Sequence, residues 1–389
     1  MVADLRKRRV LALTGIRSEY FLQRSILDAI SRHPLLELEV VVAGAHLSSL
    51  HDYTVGTVRA DGFSIVGCIE SLLYSDRQAA RLKGAALQLQ VLCHLVDDRR
   101  PDWLLAVGDR EEPLLLAMCG AYMNIATAHY GAGDRAAGNV DDMVRHAISR
   151  LAHLLLTTNE NARQFLIQSG EQDWRVHNVG HAGLDRIRQA PVLAPRELAL
   201  ALGVPAIASP YLVVVQHPLS SEVEQASEQM RETLEAVVQL GLPAFVSYPN
   251  SDPGSGQMIE ILEQYRSHRH VHIFHNIADI PFVNLLRRAS ALVGNSSLGF
   301  LEAPFLKLPA VNVGRRQIGR HHAANVFFVD HDRQKIVEAV RSAIEDEHVR
   351  AQVRACANPF GDGHAAERVA TLLAEFCLDD RLLIKDLTY

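Results

Sequence analysis

Residues 103–113 read WLLAVGDREEP, a continuous apolar run that ends at a Gly-Asp-Arg turn. The same order of a short apolar run, a glycine-containing polar turn and an amphipathic stretch recurs in both halves of the chain. Apolar runs without polar alternation are typical of strands buried on both faces, which occur in parallel sheets covered by helices. The sequence therefore predicts an α/β protein.

Predicted strands follow one another along the chain with a single interruption. They are Val10–Leu13, Leu36–Ala43, Trp103–Val107, Ile125–His129, Leu154–Leu156, Val176–Val179, Tyr211–Val215, Ala244–Tyr248, Val271–Phe274, Ala291–Val293 and Ala310–Val313. Helical stretches fit between them, for example at Arg77–Val96 and Val140–His153. The segment Ala190–Pro210 contains four prolines and breaks the alternation, which is typical of a connection between domains.

The length of the chain indicates more than one domain. A chain of 389 residues is too long for one compact core of ordinary size, and its 48% of hydrophobic residues suffice for two. We therefore predict two doubly wound, Rossmann-like domains with a cleft between them. The first spans residues 1–188 and the second spans 189–378, followed by a tail at 379–389.

The composition argues against several classes of protein. The net charge is −6, and we interpret the one basic block, Arg6–Arg9, as a solvated lead-in to the first strand, so neither nucleic acid nor a membrane is expected as a partner. No apolar run approaches the roughly 18–20 residues that span a bilayer, and no secretory leader is recognisable. The five scattered cysteines predict a reducing, cytoplasmic setting. No metal-ligand spacing is visible, and no metal is expected.

Polar side chains follow many of the predicted strands directly. In open parallel sheets, ligands bind beyond the carboxyl ends of the strands, so these residues are candidates for a binding site. They are Arg17, His46, Asp109, Arg110, Asp134, His217, Asn250, Ser296, Ser297 and Arg316. The set combines carboxylates with residues that bind phosphates and hydroxyls, which favours an anionic, polar ligand.

The motif GNSSLGFLEAP (Gly294–Pro304) follows a predicted strand and opens a predicted helix. Backbone N–H groups and the hydroxyls of Ser296 and Ser297 suit a phosphate at this helix start, while Glu302 suits the hydroxyls of a ribose. An ordinary serine N-cap is the alternative interpretation.

Two further motifs of the second half suit a diphosphate. His217 in QHP can donate a hydrogen bond to a phosphate oxygen, and Arg316 in GRRQIGR can pair with one bidentately. A turn histidine with internal hydrogen bonds and a solvated loop arginine are the alternatives.

Carboxylates dominate the strand ends of the first half. Asp109 lies in GDREE, Asp134 in HYGAGD and Asp141 in GNVDDMVRHAIS. Capping of the helix that follows is an alternative role for Asp141. This distribution is expected if one domain holds a nucleotide and the other performs proton chemistry.

Together these motifs resemble the hydrolysing UDP-N-acetylglucosamine 2-epimerases of the sialic-acid and related nonulosonic-acid pathways. The matching motifs, in chain order, are GIRSEY, GAHL, DGF, GDREE, GAGD, GNVDDMVRHAIS, GHAGLDRI, QHP, PNSDPGSG, GNSSLGFLEAP, VNVGRRQIGR and GDGHAAERV. The resemblance extends from Val10 to Leu373. It implies a glycosyltransferase-B type architecture, a last helix that packs back on the first domain, and a homodimer or homotetramer.

The resemblance also implies a reaction and its residues. UDP leaves C1 of a UDP-linked amino sugar with loss of the C2 proton, and water then adds to the resulting glycal with inversion at C2, without metal or cofactor. The implied catalytic residues are Asp109, Asp134, Asp141 and His217; the UDP-binding residues are Arg17, Arg110, Asn250, Ser296, Ser297, Glu302 and Arg316; the sugar pocket is His46, Phe21, His129, Gly131 and Arg145.

The chain departs from the family in two places, namely the segment 129–134, where the family pattern is His-x-(His/Glu)-Gly-Gly-Glu, and position 21. The chain reads HYGAGD at 129–134, so that Gly131 replaces a polar side chain and Asp134 replaces a glutamate. Phe21 stands where relatives generally have a small residue. We interpret these changes as fitting a 2,4-diacetamido-6-deoxy sugar; reduced activity is the competing interpretation.

Three other functions remain open at the level of sequence. A glycosyltransferase of the same architecture would need an acceptor, and GDREE with DDxxRHAIS argues against it. Non-hydrolysing epimerases tend to read GTRPE where this chain reads GIRSEY. A non-catalytic sensor of nucleotide sugars would bind UDP without turnover.

Overall fold

The computed structural model describes residues 6–75, 77–134, 140–250 and 252–388. The chain divides into two compact units: residues 1–186 together with 360–389 form the first, and residues 187–359 form the second. Each unit is built on one parallel sheet whose strands alternate with helices. The predicted α/β class with two Rossmann-like domains is confirmed.

Strands and helices alternate along most of the chain. The strands are β1 (Arg8–Thr14), β2 (Leu36–Ala43), β3 (Ile65–Ile69), β4 (Trp103–Val107), β5 (Thr127–Tyr130), β6 (Leu154–Thr157), β7 (Val176–Asn178), β8 (Leu212–Val215), β9 (Ala244–Ser247), β10 (Val271–Phe274), β11 (Ala291–Gly294), β12 (Ala310–Val313) and β13 (Val326–Val329). The helices are α1 (Arg17–Arg32), α2 (Val55–Ala60), α3 (Gln78–Arg99), α4 (Glu111–Met123), α5 (Val140–Leu151), α6 (Glu160–Gln168), α7 (Ala182–Gln189), α8 (Pro195–Leu202), α9 (Ala226–Leu240), α10 (Ser255–Gln264), α11 (Asp279–Arg288), α12 (Leu298–Leu301), α13 (Arg333–Glu345), α14 (Glu347–Ala355), α15 (Ala365–Glu375) and α16 (Asp380–Leu383). Within the described ranges, none of them has the length and apolar character needed to cross a bilayer.

The order of the strands places a crevice in each unit. The first sheet runs β3-β2-β1-β4-β5-β6-β7 and the second runs β10-β9-β8-β11-β12-β13, with parallel pairing throughout these ladders. The order reverses between β1 and β4, and again between β8 and β11. Loops that leave neighbouring strands in opposite directions open a crevice there, which is where ligands bind in this fold class.

The sequence patterns do not predict β3 and β13, although they predict the other strands to within a few residues at each end. Both missed strands lie at an edge of their sheet. β3 contains Gly67, and most residues of both strands are only partly buried. The continuous burial that marks the inner strands is therefore weak in these two. The proline-rich segment Ala190–Pro210 contains α8, which begins with Pro195 at its first turn.

The helix α15 belongs to the first unit, although its sequence follows that of the second. Its residues Val369 and Leu373 are fully buried in the core of the first unit. The indole of Trp103 donates a hydrogen bond to the carbonyl of Leu373 at 2.9 Å, and the guanidinium of Arg8 donates to the same carbonyl at 2.9 Å. The core of the first unit is therefore completed by residues from the end of the chain.

Candidate active site

An arginine between two aspartates forms the centre of the candidate site in the first unit. Asp109 follows β4, and Asp134 follows β5. The guanidinium of Arg145, on α5, forms a close ion pair with Asp109 and lies 3.5 Å from the carboxylate of Asp134. It also donates a hydrogen bond to the carbonyl of Gly131 at 3.2 Å. The structure thus brings together three residues that the sequence assigned to separate motifs.

Asp134 is held by the loop that follows β6. The hydroxyl of Thr158 donates to its two oxygens at 2.8 and 2.9 Å, and the amide of Asn159 donates at 3.0 Å. These hydrogen bonds fix the orientation of the carboxylate. The sequence analysis missed both partners, although they stand directly after a predicted strand, which is the position that identified Asp134 itself.

Two histidines of the predicted sugar pocket are fully buried and bonded through both ring nitrogens. His129 Nε2 donates to the carbonyl of Gly108 at 2.9 Å, and its Nδ1 lies 3.0 Å from the hydroxyl of Ser149. His46 lies between the hydroxyls of Thr14 and Thr54, at 3.0 and 2.7 Å. Burial lowers the pKa of His129 to about 3 and that of His46 to about 4, so both rings are neutral at pH 7. The ring nitrogens of both residues are hydrogen-bonded within the protein.

Of the remaining predicted residues of the first unit, Asp141 lies on α5, and Arg17 and Phe21 lie on α1. Asp141, in the first turn of α5, precedes Arg145 by four residues and therefore lies on the same face of the helix. Its carboxylate is 4.0 Å from the guanidinium of Arg81. Arg17 is exposed at the start of α1, with its guanidinium carbon 5.4 Å from the centroid of the Phe21 ring. Gly138 and Asn139 of GNVDDM, and Ser251 of PNSDPGSG, lie outside the described residues.

In the second unit, His217 follows β8 and presents one ring nitrogen as a hydrogen-bond donor. Its Nδ1 accepts a hydrogen bond from the backbone N–H of Asn250 at 3.0 Å, so the proton of the neutral ring resides on Nε2. Burial, reinforced by the nearby charge of Arg316, lowers the pKa of His217 to about 4. The histidine is therefore a neutral Nε2–H donor at pH 7.

Asn295 joins the two strands at the strand-order reversal of the second unit. Its side chain accepts from the backbone N–H of His217 at 2.7 Å and donates to the carbonyl of His217 at 2.9 Å. Its own carbonyl accepts from the guanidinium of Arg316 at 3.3 Å. Asn295 thereby fixes the relative positions of two predicted phosphate-binding residues. The sequence analysis quoted this asparagine within GNSS and assigned no role to it.

The helix that follows the GNSS turn is shorter than the sequence predicted. The helix α12 spans only four residues, and Glu302 is its C-cap. Ser297 precedes α12 without making a capping hydrogen bond through its side chain, so the N-cap interpretation does not describe it. Gly294 has φ of +124°, and a Cβ there would lie 2.2 Å from the carbonyl oxygen of Val215, so only glycine fits this turn.

The loop between β12 and β13 places its arginines against two acidic residues. Arg315 forms a close ion pair with Glu222, and the guanidinium of Arg316 lies 3.8 Å from the carboxylate of Asp252. The amide of Asn250 donates to that carboxylate at 2.6 Å. Arg316, Asn250 and His217 therefore form one group, which combines a cation with neutral donors as a diphosphate requires.

Comparison with known proteins identifies the family. The sequence pattern of the UDP-N-acetylglucosamine 2-epimerases matches residues 28–374. The chain belongs to this family. It is 31% identical to a hydrolysing UDP-N,N'-diacetylbacillosamine 2-epimerase of Legionella pneumophila, over 97% of this chain and 98% of that one. It is 30% identical to a UDP-N-acetylglucosamine 2-epimerase of Neisseria meningitidis, over 86% of this chain and 87% of that one.

Solved structures show the same fold. The crystal structure of UDP-GlcNAc 2-epimerase from Neisseria meningitidis bound to UDP-GlcNAc matches with a TM-score of 0.77 at 17% identity, and covers 94% of this chain and 99% of that one. A putative UDP-N-acetylglucosamine 2-epimerase from Listeria monocytogenes matches with a TM-score of 0.77 at 16% identity, and covers 94% of this chain and 96% of that one. Within the described residues of this family member, no group of three or more His, Cys, Asp or Glu side chains is arranged to hold a metal ion.

Two buried glutamates near the reversal between β1 and β4 were missed by the sequence analysis of this family member. Glu19 on α1 and Glu112 on α4 each have a buried carboxylate oxygen without a hydrogen-bond partner. The guanidinium of Arg110 lies 3.5 Å from Glu112. Burial, together with the charge of Glu112, raises the pKa of Glu19 to about 9. Burial also raises the pKa of Glu112. Glu19 is therefore a neutral acid at pH 7.

We expect the substitution Glu19→Gln to flatten the pH dependence of stability. The pKa of Glu19 is about 9 in the folded state and near its ordinary value of 4.5 when unfolded, so its contribution is complete below pH 4.5 and is lost as the pH rises through 9. Each pH unit in this window lowers the free energy of unfolding by up to about 1.4 kcal/mol. Urea denaturation at pH 5.5, 7.0 and 8.5 measures this effect. From the lowest to the highest pH, the free energy of unfolding should fall by up to about 4 kcal/mol more in the wild type than in the variant.

The matched control is Glu37→Gln, at an exposed position of β2. Its denaturation midpoints should follow those of the wild type at the three pH values. Parallel pH profiles for wild type and Glu19→Gln would contradict a neutral Glu19.

Proposed function

We propose that this member of the family is a hydrolysing 2-epimerase, which converts a UDP-linked 2-acetamido sugar to UDP and the free 2-epimer. The observation that carries the proposal is the Asp109–Arg145–Asp134 group at the strand ends of the first unit. Carboxylates held by an arginine suit the removal and return of the proton at C2, because that proton is barely acidic and the base must be fixed beside it. Two relatives named as hydrolysing, 31% and 30% identical over 97% and 82% of this chain, support the same reaction.

The reaction proceeds in two stages in this proposal. The carboxylate of Asp109, Asp134 or Asp141 takes the C2 proton as the bond from C1 to the UDP oxygen breaks, which leaves a glycal and UDP. Water then adds its oxygen to C1 while a proton returns to C2 from the opposite face, which gives the free sugar. The Nε2–H of His217 and the guanidinium of Arg316 stabilise the charge on the departing diphosphate.

The other predicted residues take their proposed roles around these groups. UDP is held by Asn250, Ser296, Ser297, Glu302 and Arg316 of the second unit, and by Arg17 and Arg110 of the first. Phe21, Gly131 and Arg145 face the sugar, while His46 and His129 support this pocket through their hydrogen bonds to Thr14 and Thr54 and to Gly108 and Ser149. We further propose a cytoplasmic homodimer or homotetramer that acts in sialic-acid or nonulosonic-acid synthesis, and the five free cysteines suit a reducing compartment.

We expect the diacetamido-trideoxy sugar to be the better substrate. Among the residues that the structure describes, a Cβ at Gly131 would have only the amide nitrogen of Gly108 near it, at 4.0 Å, so none of their side chains fills this position. A second acetamido group is larger than a hydroxyl and can use this space. Two relatives named as diacetylbacillosamine 2-epimerases support this assignment. Proton NMR in deuterated water should show UDP and a C2-deuterated manno sugar, with kcat/KM at least about tenfold higher for the diacetamido substrate than for UDP-N-acetylglucosamine.

The substitution Gly131→Asn tests the free space directly. Asparagine tolerates the positive φ of +83° at this position and should selectively reduce turnover of the diacetamido substrate. Gly203→Asn, at another positive-φ position with open space in the second unit, is the control. Equal or better use of UDP-N-acetylglucosamine by the wild type would refute the assignment of the sugar. Binding of both UDP-sugars without turnover would refute the enzymatic function in favour of a sensor.

A further inference from the structure

We propose that Lys385, near the end of the chain, is a positioning residue for the acid–base group of the first unit. The inference rests on the proposed function, because it assigns a supporting residue to the same Asp109–Arg145–Asp134 group. Lys385 lies outside every motif that the sequence analysis identified. The structure connects it to the group through α5.

The ammonium group of Lys385 caps the carboxyl end of α5. Its Nζ donates to the carbonyls of Ser149, Arg150 and Ala152 at 2.7, 3.2 and 2.8 Å. The last carbonyls of a helix have no partner within the helix, and the helix dipole makes this end attractive for a cation. The ammonium group thus brings its positive charge and its N–H donors to carbonyls of one helix terminus.

This cation is buried, and its charge is balanced by a buried carboxylate. The side chain of Lys385 is 10% exposed, and its Nζ lies 2.9 Å from the fully buried Glu171. Glu171 also accepts a hydrogen bond from the guanidinium of Arg150, in the last turn of α5, at 2.8 Å. Lys385 and Glu171 therefore hold the same end of the helix from two sides.

The end that Lys385 caps is one turn from the residue that bridges the two aspartates. The hydroxyl of Ser149 lies 3.0 Å from the carbonyl oxygen of Arg145 and 3.0 Å from Nδ1 of His129, and either of these acceptors can take its single proton. His129 in turn donates to the carbonyl of Gly108, the residue before Asp109. A shift of α5 would therefore move Arg145 and release the turn that carries Asp109.

The tail is anchored independently of Lys385, so the lysine can be replaced without releasing it. The fully buried guanidinium of Arg175 donates to the carbonyls of Arg381, Leu382 and Ile384 at 2.7, 2.6 and 2.6 Å. The backbone N–H of Thr388 donates to the carbonyl of Gly170 at 2.7 Å. These contacts keep the segment docked when the ammonium group is absent.

The test compares Lys385→Met with Lys385→Arg. Methionine keeps the length of the side chain and removes its charge. In Lys385→Met we expect kcat to fall at least tenfold, while KM for the UDP-sugar and Kd for UDP stay within twofold of the wild-type values. Arginine retains a cation that reaches the same carbonyls, and its kcat should return to within about threefold. Lys335→Met, which removes an exposed lysine paired with Asp330 in the second unit, is the control and should leave all values unchanged.

Hydrogen exchange followed by mass spectrometry provides a readout that does not depend on turnover. In Lys385→Met, amides of residues 145–151 should exchange at least tenfold faster, while α4 and the second unit keep their wild-type rates. Unchanged exchange in α5, faster exchange throughout the first unit, or an equal loss of kcat in the arginine variant would overturn the proposal. If the wild type turned over neither UDP-sugar, the proposed function would fail. Faster amide exchange confined to α5 in Lys385→Met would still support the positioning role.

Discussion

Replacement of Asp109 by asparagine is expected to reduce kcat by about 10³-fold while affinity for UDP stays unchanged. The carboxylate of Asp109 stands at the strand-order reversal of the first unit and is paired with Arg145. Asparagine has the same shape and keeps an oxygen for the guanidinium, but it can neither take nor return a proton. Because the groups proposed to hold the diphosphate come mainly from the second unit, the loss should appear in kcat rather than in UDP binding.

The measurement is release of UDP at saturating UDP-sugar, together with calorimetric titration of UDP. Asp97→Asn is the matched control, because Asp97 pairs with Arg100 on the surface of α3 and its side chain is 58% exposed. The control should behave as the wild type. Retention of more than a tenth of the wild-type kcat by Asp109→Asn would exclude Asp109 from the proton chemistry.

Replacement of His217 by asparagine is expected to reduce kcat by about 10²-fold to 10³-fold and to weaken UDP binding about tenfold. Nδ1 of His217 accepts from the N–H of Asn250, and the oxygen of an asparagine side chain can accept that hydrogen bond in its place. The substitution therefore keeps the local structure and removes the Nε2–H donor. Because the leaving diphosphate gains charge in the transition state, loss of this donor should affect kcat more than binding.

The pH profile provides a second test of His217. Its pKa of about 4 keeps the ring neutral between pH 5.5 and 8, so kcat/KM of the wild type should show no step from this histidine in that range. His348→Asn, on the exposed side of α14, is the matched control and should leave kcat and UDP affinity unchanged. A kcat of His217→Asn equal to that of the wild type would show that the departing diphosphate is stabilised by other groups.

The candidate residues that the sequence predicted share one property, namely their position directly after a buried strand. Asp109, Asp134 and His217 were found in this way, and the structure places each of them at a strand end next to or near a reversal of strand order. Thr158 and Asn159 occupy the same kind of position and were overlooked, because threonine and asparagine after a strand are common in ordinary turns.

Residues that stand elsewhere could not be found by this criterion. Glu19 and Glu112 lie within the first turns of their helices, where a glutamate is ordinarily a solvated residue that favours the helix dipole. Only the packing of α1 and α4 reveals that both carboxylates are buried and that the pKa of Glu19 is raised to about 9. The edge strands β3 and β13 escaped prediction for a related reason, since partial burial weakens the apolar pattern.

Sequence patterns predict the α/β class, the two units with parallel sheets, the resemblance to the epimerase family and most of the strand-end residues. These properties follow from local patterns, because burial on both faces of a strand and the turn that ends it are encoded within about ten neighbouring residues. The tertiary structure alone decided which side chains meet. Arg145 bridges aspartates from two different loops, and Lys385 caps a helix more than 230 residues before it in the chain. Such pairings depend on how the chain closes over long separations, and no local pattern specifies them.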